Sequence, residues 1–87
     1  MARFLLRARR EALGLSVLQV ASEARCPAET VVHTELGLEF PVDVEVEYRL
    51  AHAYRLDPGR FHRLALHAEA LFAKRLRGPR GGRITFA

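Results

Sequence analysis

Several residue types that signal a specific chemistry are scarce in this chain of 87 residues. It has one cysteine, no tryptophan and no apolar run close to the length of about 18 residues that a membrane-spanning helix needs. A single cysteine cannot form a disulfide within the chain, which favours a reducing compartment. These absences argue against a disulfide-stapled secreted protein and a membrane protein, and they predict a cytoplasmic one.

Motifs of the common enzyme classes are missing as well. The sequence has no glycine-rich phosphate loop, no C-x-x-C pair, no H-E-x-x-H and no nucleophile elbow. His62 and His67 are five residues apart, which separates them by about 140° around a helix axis and prevents a metal clamp. We read Cys26 as a small apolar filler in a turn. We therefore predict no catalytic residue, no metal, no cofactor and no small-molecule substrate.

The charge is distributed unevenly along the chain. Hydrophobic residues make up 49% and charged residues 28%, which is typical of a small globular domain. The net charge of +4 divides into +3 over residues 1–27, −5 over 28–57 and +6 over 58–87. A basic balance suggests a polyanionic partner, so any proposed function must also explain the acidic middle.

Apolar residues recur at helical spacing in five segments, which predicts an all-α fold. The predicted helices span residues 2–13, 17–24, 28–36, about 43–55 and 58–77. The apolar face of the first comprises Phe4, Leu5, Ala8, Ala12 and Leu13, and the inward residues of the second are Val20, Ala21 and Ala24.

Capping residues support these boundaries. Gly14 and Gly37 suit the left-handed conformation that ends a helix, and Ser16 is a good N-cap. Pro27 suits the first turn of the third helix, and Asp57 with Pro58 reads as N-cap and first residue of the fifth. Residues 42–47 alternate with a period of two, as in a strand, but the apolar spacing beyond them favours a helix from about residue 43.

The fifth predicted helix is long for so small a domain. Part of its apolar stripe would cover the core, and the remainder favours a homodimer formed through this helix, which would stabilise a chain with little core of its own. Residues 78–87 are predicted to be a flexible basic tail, or a short strand from Ile84 to Phe86 that needs a partner edge.

Two short helices joined by a three-residue turn form the helix-turn-helix pattern. The chain resembles the Xre-type helix-turn-helix family, the group of the lambdoid phage repressors and Cro. The resemblance covers about residues 4–61, and the segment from Leu50 to Pro58 is similar to a family segment as well. The matching positions are Arg10, Gly14, Leu15, Ser16, Val20, Ala21, Val31, Glu35, Gly37 and Pro41.

The resemblance implies a fold and a function. The fold would be a five-helix, repressor-like domain over residues 1–77, with the helix-turn-helix at about 16–36, a long C-terminal helix and a short basic tail. The function would be that of a small dimeric transcriptional regulator that binds double-stranded DNA. The family's DNA-contacting positions correspond to Val17, Pro27, Ala28, Glu29, Val32 and His33. Arg10 and Glu35 resemble the family's interhelical ion pair.

The chain departs from the family at residues that matter for DNA binding. Val17 replaces the usual glutamine, Arg25 replaces the turn glycine, and Thr34 stands at a core position. Residues 28–36 contain no Arg, Lys, Gln or Asn, the side chains that most often read base edges. The alternative is a helix-turn-helix scaffold that binds a protein partner through an exposed surface of Val17, Ala28, Val32 and Leu36.

Positive charge is concentrated towards the C-terminus. Five residues recur on one side of the fifth predicted helix: Arg60, Arg63, His67, Lys74 and Arg77. Arg75, Arg80 and Arg83 extend this basic patch. It would contact phosphates, form a solvated face, or pair with the acidic middle of another subunit.

Overall fold

The computed structural model describes residues 4–41 and 43–77, with only the backbone given for residues 75–77. The described chain is all-α and contains five helices. These are α1 (Leu5–Ala12), α2 (Val17–Ala24), α3 (Ala28–Leu36), α4 (Val44–Ala53) and α5 (Pro58–Arg77). Residues 78–87, predicted as a tail or short strand, lie outside the described residues.

Side chains and backbone geometry explain the helix starts. The Ser16 hydroxyl accepts from the Gln19 N–H at 3.1 Å and the Gln19 side chain accepts from the Ser16 N–H at 2.7 Å, a complete capping box. The Asp43 carboxylate accepts from the Glu45 N–H, which resolves the ambiguous segment in favour of a helix from Val44. Asp57 caps α5 by accepting from the Arg60 N–H, as predicted.

Some predicted boundaries were wrong by one to three residues. Phe4 is extended, with φ −86° and ψ 104°, so α1 begins at Leu5 and not at residue 2. Pro27 is the extended residue before α3 and does not belong to its first turn. Tyr54 is the C-cap of α4, which therefore ends at Ala53 rather than at residue 55.

The inward face of α1 also differs from the predicted one. Leu6 is fully buried, whereas Leu5 is 37% exposed and Ala12 is exposed. Arg9 and Arg10 lie one turn beyond Leu6 on the same side of the helix, and each finds polar partners inside the fold. The simple apolar pattern misled here because these two charged side chains are directed inward.

The core receives buried side chains from all five helices. It is built around Tyr54 and Phe61, whose ring centroids are 5.7 Å apart, together with fully buried Leu6, Val20 and Leu50. Helix α5 lies against α1, α3 and α4, and α2 packs on α3 and α4. The predicted inward residues of α2 are all buried: Val20, Ala21 and Ala24.

Arginines tie helix ends to neighbouring helices. The Arg9 guanidinium donates to the carbonyls of Tyr54 and Arg55, both at 2.9 Å, and so caps the end of α4 from α1. Arg49 of α4 donates to the Ala24 carbonyl at 2.7 Å, at the end of α2. These contacts satisfy carbonyls that have no partner within their own helix.

Within residues 4–41 and 43–77, no helix combines the length and the apolar character that crossing a bilayer requires.

Candidate nucleic-acid interface

Residues 25–27 form the turn that connects α2 to α3. Arg25 is left-handed, with φ 53°, and its N–H donates to the Ser22 carbonyl at 3.3 Å. The Cys26 N–H donates to the Ala21 carbonyl at 3.1 Å, and Pro27 then leads into α3 in an extended conformation. The turn has the predicted length although an arginine stands where a glycine would be unstrained.

A buried polar network fixes α3 against α1 and α4. Arg10 Nε and Nη2 donate to the Glu35 carboxylate at 2.7 and 3.0 Å, so the predicted ion pair is confirmed and is bidentate. The Tyr54 hydroxyl donates to the same carboxylate at 2.5 Å, and Arg10 also donates to the Leu15 carbonyl. Glu35 is 3% exposed, so its rotamer and the orientation of α3 are strongly constrained.

The charges of this network are set by its surroundings. Burial raises the pKa of the Tyr54 hydroxyl far above its usual range, and the neighbouring Glu35 carboxylate raises it further. The hydrogen bond to Glu35 raises the pKa of the Arg10 guanidinium. Tyr54 therefore stays a neutral donor and Arg10 stays a cation, so both continue to hold Glu35 in place.

The six predicted DNA-contacting residues do not all face solvent. Glu29 and Pro27 are exposed and Val32 is 38% exposed, whereas Val17 and Ala28 are half-buried and pack against the core. Leu36 is half-buried as well, so the expectation that Val17, Ala28 and Leu36 form an exposed surface is corrected. His33 is half-buried, and its Nδ1 lies 3.2 Å from the Glu39 carboxylate.

A small pocket opens beside the exposed side of α3. Its volume is about 180 Å³, and its lining combines aliphatic side chains with charged ones. The lining residues are Arg7, Arg10, Val17, Val32, Glu35 and Leu36. The half-buried Val17 and Leu36 are thus accessible from this pocket, which brings three of the four apolar residues of the predicted protein-binding surface together.

One of the two acids of α3 is neutralised inside the fold. Glu35 is paired with Arg10 at 2.7 Å, whereas Glu39 and Glu47 contact only His33 and His62, whose rings carry charge only when protonated. Glu29 keeps an exposed carboxylate with no partner among the described residues. Of the two acids of α3, only Glu29 therefore presents its charge to solvent.

Most basic side chains before α5 are also engaged. Arg7 pairs with Glu11 and Arg55 with Glu23, in addition to the arginines that hold Glu35 and the helix ends. Four basic side chains have no partner among the described residues: Arg25, Arg60, Arg63 and Lys74. The structure describes only the backbone of Arg75 and Arg77. Arg80 and Arg83 lie outside the described residues, so the roles predicted for these four arginines stay predictions.

The described residues contain no group of three or more His, Cys, Asp or Glu side chains placed to hold a metal ion. Cys26 is half-buried against the core, and burial raises the pKa of its thiol. A protonated thiol is a poor nucleophile. Cys26 is therefore poorly suited to act as a nucleophile.

No protein-family model, curated protein or solved structure matches this chain. A functional assignment must therefore rest on the geometry and on the residue pattern of α1 to α3.

Proposed function

We propose that this chain is a small dimeric DNA-binding transcriptional regulator of the Xre helix-turn-helix type. The observation that carries the proposal is the contact between Arg10 and Glu35, because a family-specific register predicted a bidentate pair that the fold contains. The pair joins α1 to the end of α3, and the short turn at residues 25–27 holds the start of α3 on α2. Helix-turn-helix proteins use such an arrangement to orient one helix for the major groove of DNA, which supports the proposal.

The exposed side of α3 offers an unusual but workable set of base contacts. Glu29 would accept a hydrogen bond from the amino group of cytosine, and Val32 would contact the methyl group of thymine. Arg25 stands in the turn just before α3 with its guanidinium unengaged among the described residues. Its left-handed backbone costs about 1–2 kcal/mol on folding, and its exposed side chain would be available for a phosphate contact.

The test is a titration of the purified chain with duplexes that differ only at cytosine-containing positions. We expect Glu29→Gln to change the ranking of the duplexes, with about 5- to 150-fold changes where a base contact is lost. The matched control is Glu69→Gln, which removes an exposed carboxylate from α5 and leaves α3 unchanged. A Glu29→Gln chain that ranks the duplexes as the wild type does would contradict base reading by Glu29.

The second candidate function is a protein-binding module on the same scaffold. It is favoured by the pocket whose apolar lining is Val17, Val32 and Leu36 beside an α3 without Arg or Lys. The two candidates are distinguished by binding to duplex DNA at about 50 mM salt. If the wild-type chain fails to bind and the Glu29→Lys variant binds, the regulator proposal is abandoned in favour of the protein-binding module. That result would show that the surface is shaped for the groove but carries the wrong charge for it.

A further inference from the structure

Positive charge without a partner is concentrated on one side of α5. Arg60, Arg63 and Lys74 are exposed and have no ion pair among the described residues. The arginines of α1 and α4, by contrast, are held by carboxylates or carbonyls, as Arg7 and Arg10 illustrate. Apart from Arg25, the cations of the described residues before α5 thus have partners, whereas Arg60, Arg63 and Lys74 of α5 remain available.

Helical geometry places these side chains in one stripe. At 100° per residue, Arg60, Arg63, His67 and Lys74 fall within a sector of about 60°, over a length of about 21 Å. Glu69, the only acid of α5, lies on the opposite side of the helix. We call the stripe formed by Arg60, Arg63 and Lys74 the basic face of α5.

The basic face points away from the core. Among the side chains of α5 that the structure describes, Phe61, Ala65 and Ala68 are buried, and their centre lies about 135° around the axis from that of the stripe. Burial of these three therefore keeps the stripe exposed along its length. A rigid helix that displays three cations on one side can follow a row of phosphates.

We infer that the basic face of α5 binds the phosphate backbone of duplex DNA and supplies most of the electrostatic affinity. The inference rests on the proposed function and adds a division of roles. Helix α3 contacts bases but has no Lys or Arg, whereas α5 contributes charge without reading sequence.

A second copy of the chain is a weaker match for this face than DNA. In the acidic segment that would have to receive it, Glu35 is neutralised by Arg10, and Asp43 and Asp57 cap the starts of α4 and α5. The remaining acids are divided among α3, the loop after it and α4, and do not form one row: Glu29, Glu39, Glu45 and Glu47. A DNA backbone, in contrast, offers a continuous row of charges, and neutralising them releases counterions.

The test compares two triple variants with the wild type. R60Q/R63Q/K74Q removes the three charges, and R60K/R63K/K74R keeps them while changing every side chain. For three lost phosphate contacts, the slope of log Kd against log salt should fall by about 2.7. The rise in Kd between about 50 and 200 mM salt should then be about fortyfold smaller than in the wild type, equally on every duplex sequence.

The charge-preserving variant is expected to keep the wild-type slope, and circular dichroism checks that all three chains fold alike. If the wild type binds no DNA, the proposed function itself fails. If the wild type binds and R60Q/R63Q/K74Q has the same slope, the role of α5 is overturned while the regulator stands. A variant that changes only sequence preference, or that loses self-association and keeps DNA affinity, would also overturn the role of α5.

Discussion

Thr34 is the one residue among those described whose buried side chain has a polar atom without a hydrogen-bond partner. It lies in α3, is 1% exposed and occupies a position that the family resemblance assigns to the core. A buried hydroxyl without a partner loses its hydration and receives nothing in return. The site therefore suits a side chain of the same shape without the oxygen.

We expect Thr34→Val to raise the free energy of unfolding by about 1–2 kcal/mol, because the unsatisfied hydroxyl is removed. The melting temperature should rise by about 4–8 °C for each kcal/mol in a domain of this size. Thr30→Val is the matched control, since Thr30 lies one turn earlier in α3 and is only half-buried. A loss of stability in Thr34→Val alone would show that the hydroxyl is bonded in solution.

At the scale of helices, Gly37 determines how closely α3 approaches α5. Its φ is +80°, and a Cβ built on it would lie 2.1 Å from the carbonyl oxygen of Ala68. Backbone contacts backbone at this point, so neither helix can adjust by moving a side chain. Through this contact the end of α3 is held at a fixed position along α5.

Alanine substitution at two glycines separates backbone strain from this contact. Gly14 is also left-handed, with φ +73°, but its Cβ would meet nothing within 4 Å. Gly14→Ala should therefore lower the free energy of unfolding by about 1–2 kcal/mol, which is the conformational cost alone. Gly37→Ala should lower the free energy of unfolding, measured in urea, by clearly more, because α3 and α5 must also move apart. Equal losses in the two variants would contradict a tight contact between α3 and α5.

The sequence predicts the helices well because their ends carry local signals. Ser16, Asp57 and Gly37 cap the helices that the pattern assigned to them. Local signals did not predict the hydrogen bond from Arg9 to the Tyr54 carbonyl or the one from the Tyr54 hydroxyl to Glu35. Their partners lie 45 and 19 residues away in the sequence, so the contacts exist only once the helices pack.

The same distinction between local signals and contacts that form on packing applies to the candidate site. The pair of Arg10 and Glu35 was predictable from a motif, and the exposure of Glu29 from its place on α3. The half-burial of Val17 and Ala28 was not, since it depends on how α2 and α3 pack on the rest of the fold. Nor does a charge sum reveal that Glu39 and Glu47 face histidines.

For the whole molecule, a small core and a long last helix favour a dimer. Leu66 is 44% exposed on α5 and Ala70, one turn later, is also exposed, which leaves an apolar strip beside the basic face. At 100° per residue, Leu66 lies about 60° around the helix from Arg63. A two-fold contact through this strip would leave the basic faces free at its margins and would set two copies of α3 apart, as paired half-sites require.

We expect Leu66→Asp to weaken self-association at least about tenfold, measured by sedimentation equilibrium, because a carboxylate would be buried in the contact. The fold should be retained, since Leu66 faces solvent within one chain. Leu18→Asp is the matched control, because Leu18 is 71% exposed and lies on α2, which does not contact the described part of α5. If Leu18→Asp dissociates the dimer and Leu66→Asp does not, the two-fold axis passes through α2. In that case, the Leu18→Asp variant should bind DNA without any dependence on half-site spacing, and the Leu66→Asp variant should keep that dependence.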